Sequence, residues 1–214
     1  MCRLLYVNSN YDFFIPGYLE KFAEVSKNSK EYQGHGWGCA YMQNEKWRYY
    51  KNVKPIWEDD LHQFDTSNRL IVHARSAFKD EGIAVENNMP FYDDKYIFIF
   101  NGELRGVKIK EEGRIGAEKI FNYIKRFDRT SPGWMLKKGT DLIIKRSNYT
   151  RAMNIIFSGK EASYIYSYFN EDPEYFTMYI NQEPDNIIVC SEKISGYTNW
   201  HPIPNNSLME LKCF

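Results

Sequence analysis

Met1-Cys2-Arg3-Leu4-Leu5-Tyr6-Val7 places a cysteine directly behind the first methionine and at the mouth of an apolar strand. Loss of Met1 would leave Cys2 carrying a thiol and a free α-amine on one residue. The ordinary pKa of such an amine is about 7.7–8.0 and that of the thiol about 8.5, so the amine can act as base near neutral pH. A nucleophile that carries its own base needs no separate Ser–His or Cys–His pair. The small side chain at position 2 permits removal of Met1, whereas a retained methionine would acylate the amine and abolish the base. The competing reading of Cys2 is a packing residue in a buried first strand.

Outward from this stretch, Arg3–Val7 reads as a strand stopped by Asn8-Ser9-Asn10. Residues 16–30 read as a helix with Pro16 near its start. Ile15, Leu19, Phe22, Ala23 and Ser26 share its apolar face. Strands are expected at 36–42 and 46–51 around a Gln43-Asn44-Glu45 turn, at 69–76, and at 96–100, ending at Asn101-Gly102. Helices are expected at 117–127, with Ile120, Phe121, Ile124 and Phe127 on one side, and at 134–146. The rest reads as strands at 152–158, 162–169, 175–181, 186–191 and 208–214, with Gly159 and Asp172-Pro173 as hairpin turns. Strands in consecutive groups with few helices between them exclude a strictly alternating parallel sheet. They point to an α+β protein of mostly antiparallel sheets, two sheets stacked between helical layers.

Composition narrows the class. Lys+Arg and Asp+Glu are balanced at 28 each, so no basic footprint suggests nucleic acid or an anionic membrane. Aromatics reach 17%, which suits a sheet-rich protein. There is no run of 18 apolar residues for a membrane span and no signal-peptide pattern. Cys2, Cys39, Cys190 and Cys213 lie far apart without a CxxC pair. That offers neither a zinc site nor a disulfide framework, and the cytoplasm is the expected location. The last three read as buried packing residues. No cofactor or metal cluster is indicated, and no linker divides residues 1–214.

Three loops are candidates for chemistry. His73-Ala74-Arg75-Ser76-Ala77 closes a buried strand, and period 2 puts His73 and Arg75 on one face. The planar fork of Arg75 suits a substrate carboxylate, or else a surface ion pair. Asn101-Gly102 is either an ordinary turn or an oxyanion hole made of a side-chain amide and a backbone N–H. Gly36-Trp37-Gly38 is either a bulge beside a core tryptophan or a place where backbone approaches a ligand.

Taken in order, these pieces resemble the class II glutamine amidotransferases of the N-terminal-nucleophile hydrolase superfamily, in particular the small stand-alone type that begins Met-Cys-Arg-Leu-Leu. The matching stretches are M-C-R-L-L at 1–5, H-G-W-G-C-A at 35–40, H-A-R-S-A at 73–77, M-P-F at 89–91, F-N-G-E-L at 100–104, A-E-K-I-F at 117–121 and S-E-K-I at 191–194. Trp200, Pro202, Ile203 and Pro204 follow near the end. The resemblance implies a four-layer αββα sandwich over a single domain, 1–214, that cleaves the side-chain amide of glutamine or a γ-glutamyl compound. Cys2 would form a thioester, and Asn101 and Gly102 would hold the oxyanion. Arg75 would bind the α-carboxylate, with His73, Ser76, Trp37 and Gly38 lining the substrate site. No cofactor is implied. The partners would be a small-molecule amide and, in one version, a separate ammonia-accepting synthase.

The chain departs from the family pattern at four positions. Gly116 stands where the family has an Asp that holds glutamine's α-ammonium, leaving Glu111, Glu112 or another acid to substitute. Phe100 replaces a His, Phe78 a Thr, and His35 a common acid; His35 is read as structural. Three functions stay open: a stand-alone amidohydrolase, a glutaminase subunit feeding a synthase, and a non-catalytic domain that binds a ligand or partner. The bile-salt-hydrolase and penicillin-acylase branch also begins Met-Cys, but the spacing of His73, Arg75 and Asn101-Gly102 argues against it.

Overall fold

Alternation along the first strand, β1 (Arg3–Phe14), decides how the layers stack. Leu5 and Val7 point into one buried cluster, together with Ile15, Leu19 and Phe22 of helix α1 (Ile15–Lys27). Leu4 and Tyr6 point the opposite way, into a larger cluster shared with a second sheet. A strand buried on both faces must lie inside the molecule, with a layer on each side. The computed structural model describes residues 1–214.

The first sheet has seven strands. Besides β1 these are β2 (Trp37–Gln43), β3 (Lys46–Asn52), β4 (Thr66–Ala74), β9 (Tyr179–Glu183), β10 (Asn186–Cys190) and β11 (His201–Pro202), in the order β11-β9-β10-β1-β4-β2-β3. The second has five: β5 (Phe91–Tyr92), β6 (Ile97–Arg105), β7 (Tyr149–Ser158), β8 (Ala162–Ser167) and β12 (Ser207–Lys212), in the order β12-β8-β7-β6-β5. All strand pairs are antiparallel. Helices α2 (Gly116–Lys125) and α3 (Pro132–Lys145) bury Ile120, Phe121, Ile124, Met135, Leu136 and Ile143 against the outer face of the second sheet. The expected α+β architecture, an αββα sandwich of two antiparallel sheets, is what the chain adopts.

Helix α1 buries the five residues expected of its apolar face, Ile15, Leu19, Phe22, Ala23 and Ser26. Its first turn carries Pro16, and Asn28 closes it by donating its N–H to the carbonyl of Glu24 at 3.1 Å. Each fully buried Leu, Ile or Phe contributes about 1.5–3 kcal/mol, so Phe22→Ala alone would cost about 3–5 kcal/mol of stability. The β2–β3 turn forms at Asn44 and Glu45, both left-handed (φ 51° and 59°), the backbone that a two-residue hairpin demands.

Several boundaries differ from expectation. Asn8-Ser9-Asn10 does not stop β1. Asn8 and Ser9 keep pairing with Ile187 and Asn186, because the Asn8 amide donates to the Lys212 carbonyl and the Ser9 hydroxyl to the Asp185 carbonyl. Satisfied polar side chains can stay in a buried strand. Asn101-Gly102 is not a turn. β6 runs through it, pairing Asn101 with Asn154 and Gly102 with Met153. Asp172-Pro173 is not a hairpin turn, and the strand expected at 175–181 is displaced. Pro173 begins a short helix, α4 (Pro173–Phe176), behind a left-handed Asp172, and β9 starts only at Tyr179. The aromatic pair Tyr175-Phe176 suggested a strand by composition, but one helical turn brings both rings into a small cluster with Ala152.

Candidate active site

The period-2 rule places four chemically distinct side chains in the space between the sheets. One residue ahead of β1, Cys2 shares parity with Leu4 and Tyr6, which face the second sheet. His73 on β4 and Arg75, one residue past its end, share parity with Ile71, which faces the same way. On β6, Phe98 stacks on Phe121 of α2 at 5.3 Å, so Phe100 faces the helices and Asn101 faces back across the interface. Register then fixes height. Arg3 pairs with Ala74, which sets Cys2 beside the Arg75-Ser76 end of β4. The Cys2 Sγ accordingly lies 3.8 Å from the Ser76 carbonyl, to which it donates.

Burial is the largest influence on the Cys2 thiol and pushes its pKa up; the neighbouring ammonium, Ser76 and Arg75 pull it down. Arg75 is 6% exposed, and its Nη1 donates to the Gly82 carbonyl at 2.9 Å and to Asn88 Oδ1 at 3.4 Å. It is thus a buried guanidinium without a carboxylate partner. Burial lowers its pKa, and the adjacent Cys2 opposes that shift. A buried cation held by neutral acceptors retains capacity for an incoming anion.

Asn101 is fully buried, and neither its Nδ2 nor its Oδ1 has a hydrogen-bond partner. Leaving such groups unpaired costs about 1–3 kcal/mol each, so the amide retains capacity for a partner reaching it from the space between the sheets. Gly102 is required by crowding: a Cβ there would collide with the Ala152 carbonyl of the paired strand.

The remaining expected site residues divide. Gly38 faces the space between the sheets, and a Cβ on it would lie 2.5 Å from the Met89 carbonyl, so close packing of the chain on itself requires glycine there. Trp37 points the other way. Its ring is fully buried in the cluster under α1, and its Nε1 donates to Asp59 at 2.9 Å; parity alone removes it from the lining. His73 is fully buried with no hydrogen-bond partner on either ring nitrogen. Burial first, then Arg75, drives its pKa down to about 3, so it stays neutral. Ser76 offers its carbonyl rather than its hydroxyl to Cys2. His35 accepts from the Ala77 N–H at 2.9 Å and ties two loops together. Glu111 is engaged by Arg126 at 3.2 Å and Glu112 is exposed. The carboxylate whose charge acts on the Cys2 thiol is Glu31.

Glu31 belongs to a second flank that no motif announced. Its Oε2 pairs with the α-ammonium of Met1, and its Oε1 lies 3.2 Å from Arg151. The Met1 carbonyl accepts from Gln33 Nε2 at 2.5 Å and from the Tyr175 hydroxyl at 2.6 Å. The Met1 side chain packs against Ala152, Tyr175 and Phe176. Methionine therefore fills the space on the amine side of Cys2. Two surface grooves lie away from these groups, one by Gln182 and Lys212, the other by Trp47 and Tyr92.

No family model matches the chain, and no curated protein does. Solved structures match over nearly its whole length. Glutamine phosphoribosylpyrophosphate amidotransferase from B. subtilis superposes with a TM-score of 0.71 at 15% identity, over 99% of this chain and 47% of that one. A glutamine aminotransferase class-II domain protein from Silicibacter pomeroyi gives 0.66 at 14% identity, over 99% of this chain and 95% of that one. A predicted glutamine amidotransferase from Pseudomonas aeruginosa PA01 gives 0.63 at 15%, over 99% and 97%. This chain thus spans about half of the B. subtilis enzyme and nearly all of the other two, and what it shares with all three is the fold, the antiparallel αββα sandwich of glutamine amidotransferases.

Proposed function

We propose that residues 1–214 form one amidotransferase-type domain that hydrolyses the side-chain amide of glutamine or of a γ-glutamyl compound, with Cys2 as nucleophile once Met1 is removed. What supports this reading is a thiol at the Arg75-Ser76 end of β4, a buried guanidinium lacking an anion, and a buried amide lacking any partner on the strand β6. Sγ adds to the amide carbon and gives its proton to the Cys2 amine, through a water. The Asn101 amide and the Gly102 N–H take the oxyanion. The C–N bond breaks as the Cys2 ammonium returns the proton to the leaving nitrogen, and a thioester remains. Water then adds to the thioester carbon, releasing the acid and the thiol. Arg75 holds the substrate carboxylate throughout. The free thiols suit a reducing cytoplasm.

The test is ammonia or amine release by mass-verified protein lacking Met1. Release that disappears in Cys2→Ala supports the reading, and a des-Met protein that hydrolyses no such amide sinks it. The likeness to 47% of the B. subtilis enzyme favours a second reading, a glutaminase unit that passes ammonia onward. Stable co-purification with a synthase decides for that version.

A further inference from the structure

We infer that the space held by Met1 is a leaving-group subsite, and that the substrate is a γ-glutamyl amide of an amine bearing a second, cationic group. This rests on the hydrolase reading above. The leaving nitrogen must come within reach of the Cys2 amine, because that amine returns the proton when the C–N bond breaks. The leaving group therefore extends from the amine side of Cys2, which is where Met1 extends. Arg75, held by Gly82 and Asn88, takes the acyl half.

The subsite is built to hold more than ammonia. Tyr175, Phe176 and Ala152 supply an apolar wall against which the Met1 side chain packs. Gln33 is fully buried with its Oε1 unpartnered, and its Nε2 and the Tyr175 hydroxyl both donate to the Met1 carbonyl. Glu31 sets the charge preference. Its Oε1 is satisfied by Arg151, which also engages Asp172 and lies 3.5 Å from Glu103, so the guanidinium has no capacity left for an anion. Its Oε2 is held only by the Met1 ammonium. Removal of Met1 takes its ammonium away and leaves a new α-amine on Cys2, which is neutral when it acts as base, so Glu31 keeps a partly buried carboxylate oxygen beside the space that Met1 held. Such an oxygen selects a cation and rejects an anionic leaving group. Free glutamine, which loses only ammonia, uses none of these contacts.

The test compares N-(3-aminopropyl) and N-butyl γ-glutamyl amides, which differ at one terminal heavy atom, with glutamine as reference on des-Met protein. The charged amide is expected to exceed the butyl amide in kcat/KM by at least about tenfold, the scale of one charge-assisted hydrogen bond. Glu31→Gln is expected to bring that ratio to about one. A ratio near one in the wild-type protein, as when Glu31 pairs instead with the freed Cys2 ammonium, overturns the inference. So does turnover of glutamine with neither substituted amide accepted, and in both cases the hydrolase reading stands. Failure to hydrolyse any of the three overturns the hydrolase reading itself. Calorimetric binding of the two amides to des-Met Cys2→Ala protein then decides the subsite: tighter binding of the charged amide supports it, and equal affinity overturns it.

Discussion

On one side of Cys2, Arg75 is delivered by strand register: β4 pairs with β1, alternation turns the guanidinium inward, and Gly82 and Asn88 hold it. On the other side, Glu31, Gln33, Arg151 and Tyr175 come from a loop after α1, a strand of the second sheet and a four-residue helix. The first flank is positive and read by period; the second offers a carboxylate and is assembled from places with no common pattern. A substrate lying across both would be anionic at its acyl end and cationic at its leaving end.

What the flanks share fails first. Cys2→Ala removes the proposed nucleophile and should lower amide hydrolysis by at least about 1,000-fold, measured as released nitrogen. Asn101→Ala should lower kcat by about 100- to 1,000-fold with KM little changed, since an oxyanion donor acts chiefly in the transition state. Unchanged turnover would remove Asn101 from that role. Arg75→Ala breaks one flank only. Loss of a buried, hydrogen-bonded charge contact costs about 2–5 kcal/mol, so KM for a carboxylate-bearing amide should rise at least about 30-fold. The same mutation should leave the preference between charged and neutral leaving groups unmoved.

His73 lies beside the Arg75 flank and distinguishes a structural from a substrate-binding role. Its pKa is depressed from 6.5 to about 3 by burial. Below pH 6.5 the unfolded chain binds a proton that the native state refuses until about pH 3. The stability this histidine supports is therefore complete above pH 6.5 and is lost as pH falls, by about 1.4 kcal/mol per unit. Urea unfolding between pH 7 and 4.5 should show a slope shallower by about that amount in His73→Gln, whatever the variant's absolute stability. Equal slopes would show that His73 is not held neutral.

The sequence contained the layers because burial on both faces of β1 and β4, and the 3.6-residue stripe of α1, are local patterns. It contained the Arg75 flank for the same reason, and Trp37, two residues before Cys39 on β2, shares that residue's parity into the cluster under α1 and away from the site. Asn101-Gly102 looked like a turn because that dipeptide favours one, yet pairing with Asn154 and Met153 overrode the local preference. The Glu31 flank could not be read at all. Residues 31, 33, 151 and 175 meet only after two sheets stack, and the helical turn that aims Tyr175 contradicts the β-preference of its own segment.

Gly116 offers the smallest and most pointed change. It is exposed at the start of α2, and a Cβ there meets nothing within 4 Å. Gly116→Asp should therefore be accepted without strain. Asp is itself a poor helix former and recovers only about 0.3 kcal/mol over glycine, and a carboxylate in the first turn adds about 0.3–1 kcal/mol through the helix dipole. A melting temperature higher by about 2–4 °C is expected. The activity readout bears on the two flanks. An acid at this position is what the family resemblance implies for glutamine's α-ammonium, beside the carboxylate that Arg75 is proposed to take. The variant should raise kcat/KM for free glutamine by about threefold or more, under 1 kcal/mol of new contact. It should leave the ratio between aminopropyl and butyl amides as it was, because that ratio is set by Glu31 on the far side of Cys2. A gain in the ratio instead would mean that the two flanks meet the same end of the substrate.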